Sequence, residues 1–155
     1  MRRRRADRRE ISPDIRYNSV KVQTFINHVL KRGKKNLATT LVYDSFDIIE
    51  EKTGQDPLEV FEQAIENSSP RMEVRPRRIG GATYQIPMEV PSHRQFALAT
   101  RWILDSVRSR TGQQFPERLA DELLSASNNE GSAVRKKEES HRMAKANRAF
   151  SHFRY

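Results

Sequence analysis

The segment Arg75–Pro87, RPRRIGGATYQIP, most constrains the fold, because it is the one stretch of the chain with a β pattern. Gly80 and Gly81 can adopt the positive φ angles of a two-residue hairpin turn. With the turn there, three pairs face each other across two antiparallel strands: Ile79 and Ala82, Arg77 and Tyr84, Arg75 and Ile86. The sequence therefore predicts a β-hairpin over residues 72–90.

This hairpin carries features of an arm rather than of a sheet. Pro76 and Pro87 lie one in each limb, and proline cannot donate to a strand ladder, so neither limb suits the middle of a larger sheet. A lone two-stranded hairpin is marginal in water. Its cationic side chains, Arg75, Arg77 and Arg78, and its one aromatic ring, Tyr84, indicate an arm that a polyanion orders.

The rest of the chain has helical periodicity. Ser19 and Ser92 are candidate N-caps, and Pro57 suits a first helical position. We predict a mainly α fold, a bundle of about six helices with one projecting β-hairpin arm between the third and fourth helices. The expected helices are 20–32, 36–52, 57–67, 92–110, 116–127 and 132–149.

The expected organisation is one domain with two tails. Residues 1–17 form a basic N-terminal tail, 18–149 a single helical domain that includes the arm, and 150–155 an aromatic and basic C-terminal tail. The pattern of the second helix predicts a buried face composed of Leu37, Leu41, Val42, Ser45, Ile48 and Ile49.

Charge is distributed in blocks along the chain. The formal net charge is +9, but residues 1–35 contribute +9 and residues 36–69 contribute −7. Residues 70–114 and 115–155 contribute +5 and +2. Such segregation is typical of a polyanion-binding face with an acidic back.

One ridge of the fourth helix is wholly basic. Arg94, Arg101 and Arg108 are seven residues apart and share a stripe, whereas Phe96, Ala99, Ile103 and Val107 lie roughly 200° away. Arginine suits phosphates through its planar fork of donors. We expect this ridge to contact nucleic acid.

Patterns of catalysis and cofactor binding are absent from the sequence. No nucleophile elbow, phosphate-binding loop, dinucleotide motif or zinc-protease motif occurs, and there is no cysteine. Asp121 and Glu122 are interpreted as acids on a helix surface. We therefore expect no enzyme activity, no cofactor and no metal. No apolar run approaches the roughly 18 residues of a membrane span, so no membrane partner is expected.

Three classes of function remain open on the residues alone. A structural RNA-binding protein would use the basic clusters to hold folded RNA by shape and backbone. A DNA-binding regulator would use the fourth helix for recognition and the hairpin as a wing, although its arginines are spread from end to end. A calmodulin or membrane-surface target would need an exposed apolar face on that basic helix.

Four stretches together resemble a known family. FINHVLKRGKKNLATTLVYDS at residues 25–45 has the spacing of bacterial-type small-subunit ribosomal protein number seven. KTGQDPLEVFEQAIENSSPRMEV, RRIGGATYQIPMEV and RMAKANRAFSHFRY also resemble that family, in order and over nearly the whole chain.

The resemblance implies a structural component of the small ribosomal subunit. Members bind the 3′ major domain of small-subunit ribosomal RNA, nucleate assembly of the head, and place the arm near exit-site transfer RNA and messenger RNA. Some repress translation of their own operon. The implied partners are these RNAs and neighbouring head and platform proteins, without an obligate homo-oligomer. The implied location is the ribosome in a bacterial cytoplasm or a plastid stroma.

The resemblance also implies site residues. Gly80, Gly81 and Tyr84 would lie near transfer RNA and messenger RNA. The implied ribosomal RNA contacts are Arg3, Arg4, Arg5, Lys34, Lys35, Arg75, Arg77, Arg78, Arg94, Arg101, Arg108, Arg142, Asn147 and Arg148.

Overall fold

A computed structural model describes residues 9–154 of the chain. Within that range six α-helices surround one core, and a two-stranded hairpin stands between the third and fourth helices, so the predicted fold is confirmed. In chain order the elements are α1 Val20–Val29, α2 Lys35–Thr53, α3 Pro57–Ser68, β1 Met72–Ile79, β2 Ala82–Glu89, α4 Ser92–Ser109, α5 Phe115–Ser127, α6 Gly131–Ala146 and a 3₁₀ helix Arg148–Arg154.

Local sequence signals determine several helix ends. Ser19 and Asp56 each accept a hydrogen bond from a first-turn amide, at Val22 and Leu58, and so act as side-chain caps. The predicted cap at Ser92 is wrong. Ser92 is the first residue of α4, and Pro91 occupies the N-cap position without a side-chain bond.

The core centres on three aromatic rings from α1, α2 and α3. Phe25, Phe46 and Phe61 are fully buried. The ring centroids of Phe25 and Phe61 lie 5.2 Å apart, and those of Phe46 and Phe61 lie 5.6 Å apart. The rings of Phe25 and Phe61 meet edge to face and those of Phe46 and Phe61 are tilted, so direct ring contacts add to the burial of apolar area.

The buried face of α2 is rotated relative to the predicted one. The core residues are Ala38, Val42, Ser45, Phe46 and Ile49, whereas Leu37 is 52% exposed. Leu37 therefore lies one position, roughly 100°, away from the buried stripe. The sequence pattern is compatible with a buried stripe through Leu37 or through Ala38 and Phe46. The packing of α5 and α3 against α2 selects the second.

Part of the predicted N-terminal tail belongs to the core. Asp14 is buried and accepts hydrogen bonds from the Tyr17 amide at 2.9 Å, the Ser19 amide at 3.0 Å and the Tyr43 hydroxyl at 3.1 Å. The ring of Tyr17 packs 5.2 Å from that of Phe46. Residues 14–17 thus fasten the chain entering α1 onto α2.

The C-terminal end also forms part of the fold. Residues 150–154, predicted as a tail, continue the 3₁₀ helix that begins at Arg148 and packs along β2. Together with α6, which packs on β1, this helix supports the root of the hairpin.

Candidate nucleic-acid interface

Helix α4 is fastened at both ends to other basic elements. Near its start, Arg94 pairs with Glu73 at the root of β1. Near its end, Arg108 Nη2 donates to the carbonyl oxygens of His28 at 3.3 Å and Val29 at 3.4 Å, the last turn of α1. At 1.5 Å per residue, about 21 Å of helix separates these two arginines. The helix therefore connects the hairpin root to the loop that follows α1.

Several cations of this region are available for phosphate. The Arg101 side chain is exposed between the two fastened arginines and forms no ion pair or hydrogen bond with another residue of 9–154. After α1, a left-handed Gly33 with φ 75° turns the chain, and the next two residues, Lys34 in this loop and Lys35 at the start of α2, are exposed. We call the combined surface of the hairpin arginines, the exposed side of α4 and this loop the basic face.

The arginines of the basic face differ in whether they pair with Glu73. Its buried carboxylate binds Arg94 by Nε at 2.8 Å and 3.0 Å and by Nη2 at 2.9 Å, and Arg75 Nε at 2.7 Å. Burial acts to raise the pKa of Glu73, but the hydrogen bonds from Arg94 and Arg75 outweigh it, and the pKa lies below its ordinary value. Arg94 and Arg75 thus offer less free charge than Arg101.

The outer half of the hairpin projects from the body. Its register pairs Ile79 with Ala82 and Arg77 with Tyr84, as predicted. Gly80 and Gly81 form the turn with φ of 56° and 87°, angles that L side chains rarely adopt. Residues 75–78 and 80–83 are exposed, whereas Ile86 and Pro87 at the root are buried.

The chain matches the family described as ribosomal protein S7p/S5e over residues 1–148. It belongs to that family. Over its full length it is 56% identical to small ribosomal subunit protein uS7 of Thermotoga neapolitana, covering all of that protein. It is 53% identical over 154 residues to the uS7 protein of Thermomicrobium roseum and 55% identical over 152 residues to that of Chloroflexus aurantiacus. These alignments cover 99% of each chain for the former, and 98% of this chain and 97% of its relative for the latter.

In this ribosomal protein, Tyr84 lies away from the tip of the arm. Its ring is half-buried, 5.3 Å from that of Phe150 in the 3₁₀ helix. In this structure, ring packing ties the middle of β2 to the C-terminal end.

The remaining predicted contact residues have different surroundings. Arg142 and Arg148 are exposed, but the Asn147 side chain donates to the Met143 carbonyl at 2.9 Å and caps the end of α6. Arg3, Arg4 and Arg5 lie outside the described residues.

Sequence reasoning overlooked two cations at the hairpin root. Arg71 and Lys145 line one cavity together with Arg148. Lys145 lies in a helix that mixes acidic and basic residues, and Arg71 lies just before a strand. No sequence pattern therefore marked either residue as part of a binding site. Only folding brings them together.

The arrangement suits binding to phosphates. Among residues 9–154, no group of three or more potential ligands could hold a metal ion. Within the same range, no helix is long and apolar enough to cross a membrane. Exposed arginine and lysine side chains on several elements can instead neutralise phosphates that lie far apart in a folded RNA.

Proposed function

We propose that this ribosomal protein is a non-catalytic component of the small ribosomal subunit that binds the 3′ major domain of its ribosomal RNA and nucleates assembly of the head. The observation that carries the proposal is the basic face, in which α4 joins the hairpin root to the end of α1, next to Lys34 and Lys35. Full-length similarity to small ribosomal subunit proteins supports the assignment of the RNA. Platform and head proteins would contact the remaining surface.

The proposed mechanism is electrostatic clamping. Arg101, Lys34 and Lys35 bind phosphates directly and release counterions, and the hairpin arginines bind a second RNA segment. Because Glu73 and Arg94 fasten the arm to α4, both segments are held in one arrangement. The acidic side chains of α2 and α3 would turn away from the RNA.

Competitive binding tests this function. At about 0.2 M salt, the purified protein is offered the 3′ major domain, an unrelated folded RNA of equal length and duplex DNA. We expect a preference of about a hundredfold or more for the ribosomal domain, within the range of specific over non-specific recognition. Equal affinity for all three polymers would refute the proposal and favour a general polyanion surface.

We also propose that the tip of the arm contacts exit-site transfer RNA and messenger RNA. Its exposure and its Gly80–Gly81 turn support this role, since a turn without side chains lets a backbone approach a ligand closely. Repression of its own operon messenger RNA would use the same basic face.

Shortening the arm tests the tip separately. Deleting Arg78–Ile79 and Ala82–Thr83 leaves Arg77 and Tyr84 paired beside the same two glycines, so the strand faces do not invert. We expect unchanged circular dichroism, continued assembly into subunits because Arg75 and Arg77 remain, and weaker retention of exit-site transfer RNA. Normal retention in subunits that contain the shortened protein would refute the proposed contact.

A further inference from the structure

A cavity of about 410 Å³ lies where the hairpin root meets α6 and the 3₁₀ helix. Its volume falls within the range of about 300–1,000 Å³ that is typical of sites for small organic groups. Met72, Pro87 and Ala144 contribute apolar surface to its lining. An opening of this size can admit one heterocyclic base with its sugar.

The lining of this cavity is cationic. Arg71, Lys145 and Arg148 line it, and none of the three forms an ion pair with another residue of the described chain. Among residues 9–154, no carboxylate side chain lines it. His141, also in the lining, accepts a hydrogen bond at Nε2 from the Arg71 amide at 2.9 Å, so the proton of the neutral ring is on Nδ1.

A neighbouring cavity shows that this charge is specific to one side of the hairpin root. It shares Arg71 and Met72 but is also lined by Glu66 and Glu89. Its carboxylates would repel a phosphate, although its volume of about 600 Å³ is larger. Size alone therefore does not favour a nucleotide, whereas the combination of apolar floor and unpaired cations does.

We propose that the cavity between the hairpin root and α6 holds a single unstacked nucleotide of the bound RNA. Its base rests on Met72 and Pro87, and its phosphates lie against Arg71, Lys145 and Arg148. Guanidinium planes can also stack on a base, as in the recognition of unpaired RNA. This proposal rests on the proposed RNA-binding function and adds a site that holds an unpaired nucleotide to its electrostatic clamp.

Photo-methionine, which carries a diazirine in place of the thioether, tests the site with little change of shape. The chain has four methionines, of which Met72 lines the cavity and Met143 is exposed on α6 outside it. The labelled wild type is compared with Met72→Leu and the matched control Met143→Leu, both swaps of similar volume. Each is irradiated in complex with the 3′ major domain, and cross-links are mapped as reverse-transcription stops.

The expected result is one stop at an unpaired nucleotide that disappears in Met72→Leu and persists in Met143→Leu. Combining Lys145→Gln with Arg148→Gln should weaken that cross-link and lower RNA affinity about tenfold, as for loss of one or two charged hydrogen bonds. The pair Arg135→Gln and Lys136→Gln, with equal loss of charge on exposed positions of α6, should leave both unchanged.

Three results would overturn the site. They are no Met72-dependent stop, Met72-dependent stops spread over paired nucleotides, and equal losses in the two charge-reduced pairs. If the wild type still prefers the ribosomal domain in these cases, the proposed function survives without the nucleotide site. If the wild type fails to prefer the ribosomal domain, the proposed function fails, and the site fails with it.

Discussion

At the residue scale, Glu122 shows how one buried charge organises a helix junction. The carboxylate is completely buried, pairs with Arg110, and accepts the Ser132 and Ala133 amides at 3.1 Å each. It thereby satisfies the free amides at the start of α6. Gly131 is required beside it, because its φ is 90° and a Cβ there would lie 3.2 Å from Glu122 Oε1. The interpretation of Glu122 as a surface acid is therefore wrong.

Replacing Glu122 by alanine should destabilise the fold by about 2–4 kcal/mol, because buried amides and Arg110 lose their partner. The neighbouring Asp121 is a matched control. It pairs with Lys52 at 2.7 Å on the surface, so Asp121→Ala should cost about 0–1 kcal/mol. Urea unfolding of both variants measures the difference. Equal losses would show that the buried carboxylate has no special role.

His141 provides a pH dependence at the same scale. Its pKa lies below the ordinary value of 6.5, chiefly through burial and also through Lys137 and Arg71. Near pH 6.5 the unfolded chain therefore binds more protons than the folded one. The contribution of neutral His141 to the free energy of unfolding is complete above pH 6.5 and is lost as the pH falls through the folded pKa. Protonation of His141 at Nε2 also places an N–H group against the N–H of Arg71, in place of the acceptor.

We therefore expect the free energy of unfolding to fall between pH 7.5 and about 5.5, and His141→Gln to flatten this fall. Some slope should remain, since partial burial and Arg101 lower the pKa of His28 as well. His93→Gln, at an exposed position, serves as the control and should behave as the wild type. An identical slope in His141→Gln would contradict the expectation.

At the element scale, the hairpin is an arm whose orientation depends on its root. A free two-stranded hairpin has little stability of its own. Here Glu73 and Arg94 connect β1 to α4, Ser140 Oγ donates to the Met72 carbonyl at 3.0 Å, and the Tyr84 ring packs on that of Phe150. The root is thus fastened to α4, α6 and the 3₁₀ helix, while the outer half remains exposed.

Removing the Glu73 carboxylate charge tests this attachment. Glu73→Gln should lower stability by about 1–3 kcal/mol, because three charged hydrogen bonds from Arg94 weaken. A double-mutant cycle with Arg94→Gln should give a coupling of about 0.5–3 kcal/mol. Glu89→Gln, an exposed acid on β2, provides the control. Coupling near zero would mean that the pair does not hold the arm.

At the scale of the whole molecule, the segregation of charge determines how binding responds to salt. The basic face collects cations from the hairpin, α4 and the loop after α1, whereas residues 36–69 carry a net −7. Each phosphate that a cation neutralises releases counterions. The slope of the salt dependence therefore measures how many phosphates this face contacts.

Replacing Arg101 and Arg108 by glutamine should reduce the slope of log K against log salt by about 0.7–0.9 for each arginine that contacts phosphate. Binding of the 3′ major domain from 0.1 to 0.4 M salt measures the slope. Lys21→Gln with Lys52→Gln is the matched control, since these lysines pair with Glu62 and Asp121. An equal change in the control would show that only net charge matters.

Local signals in the sequence were enough to predict the helices, the hairpin with its register, and the family. Turn glycines, prolines and hydrophobic periodicity reflect interactions within a few residues. They can therefore be recognised in the sequence without the tertiary structure. The tertiary structure decided what depends on distant neighbours: the phase of α2, the burial of Asp14 and Glu122, and the cavity shared by Arg71, Lys145 and Arg148. A charge pattern predicts where cations lie along a helix. Only packing decides which of them, like Arg94, pair within the protein and which, like Arg101, have no side-chain partner among residues 9–154.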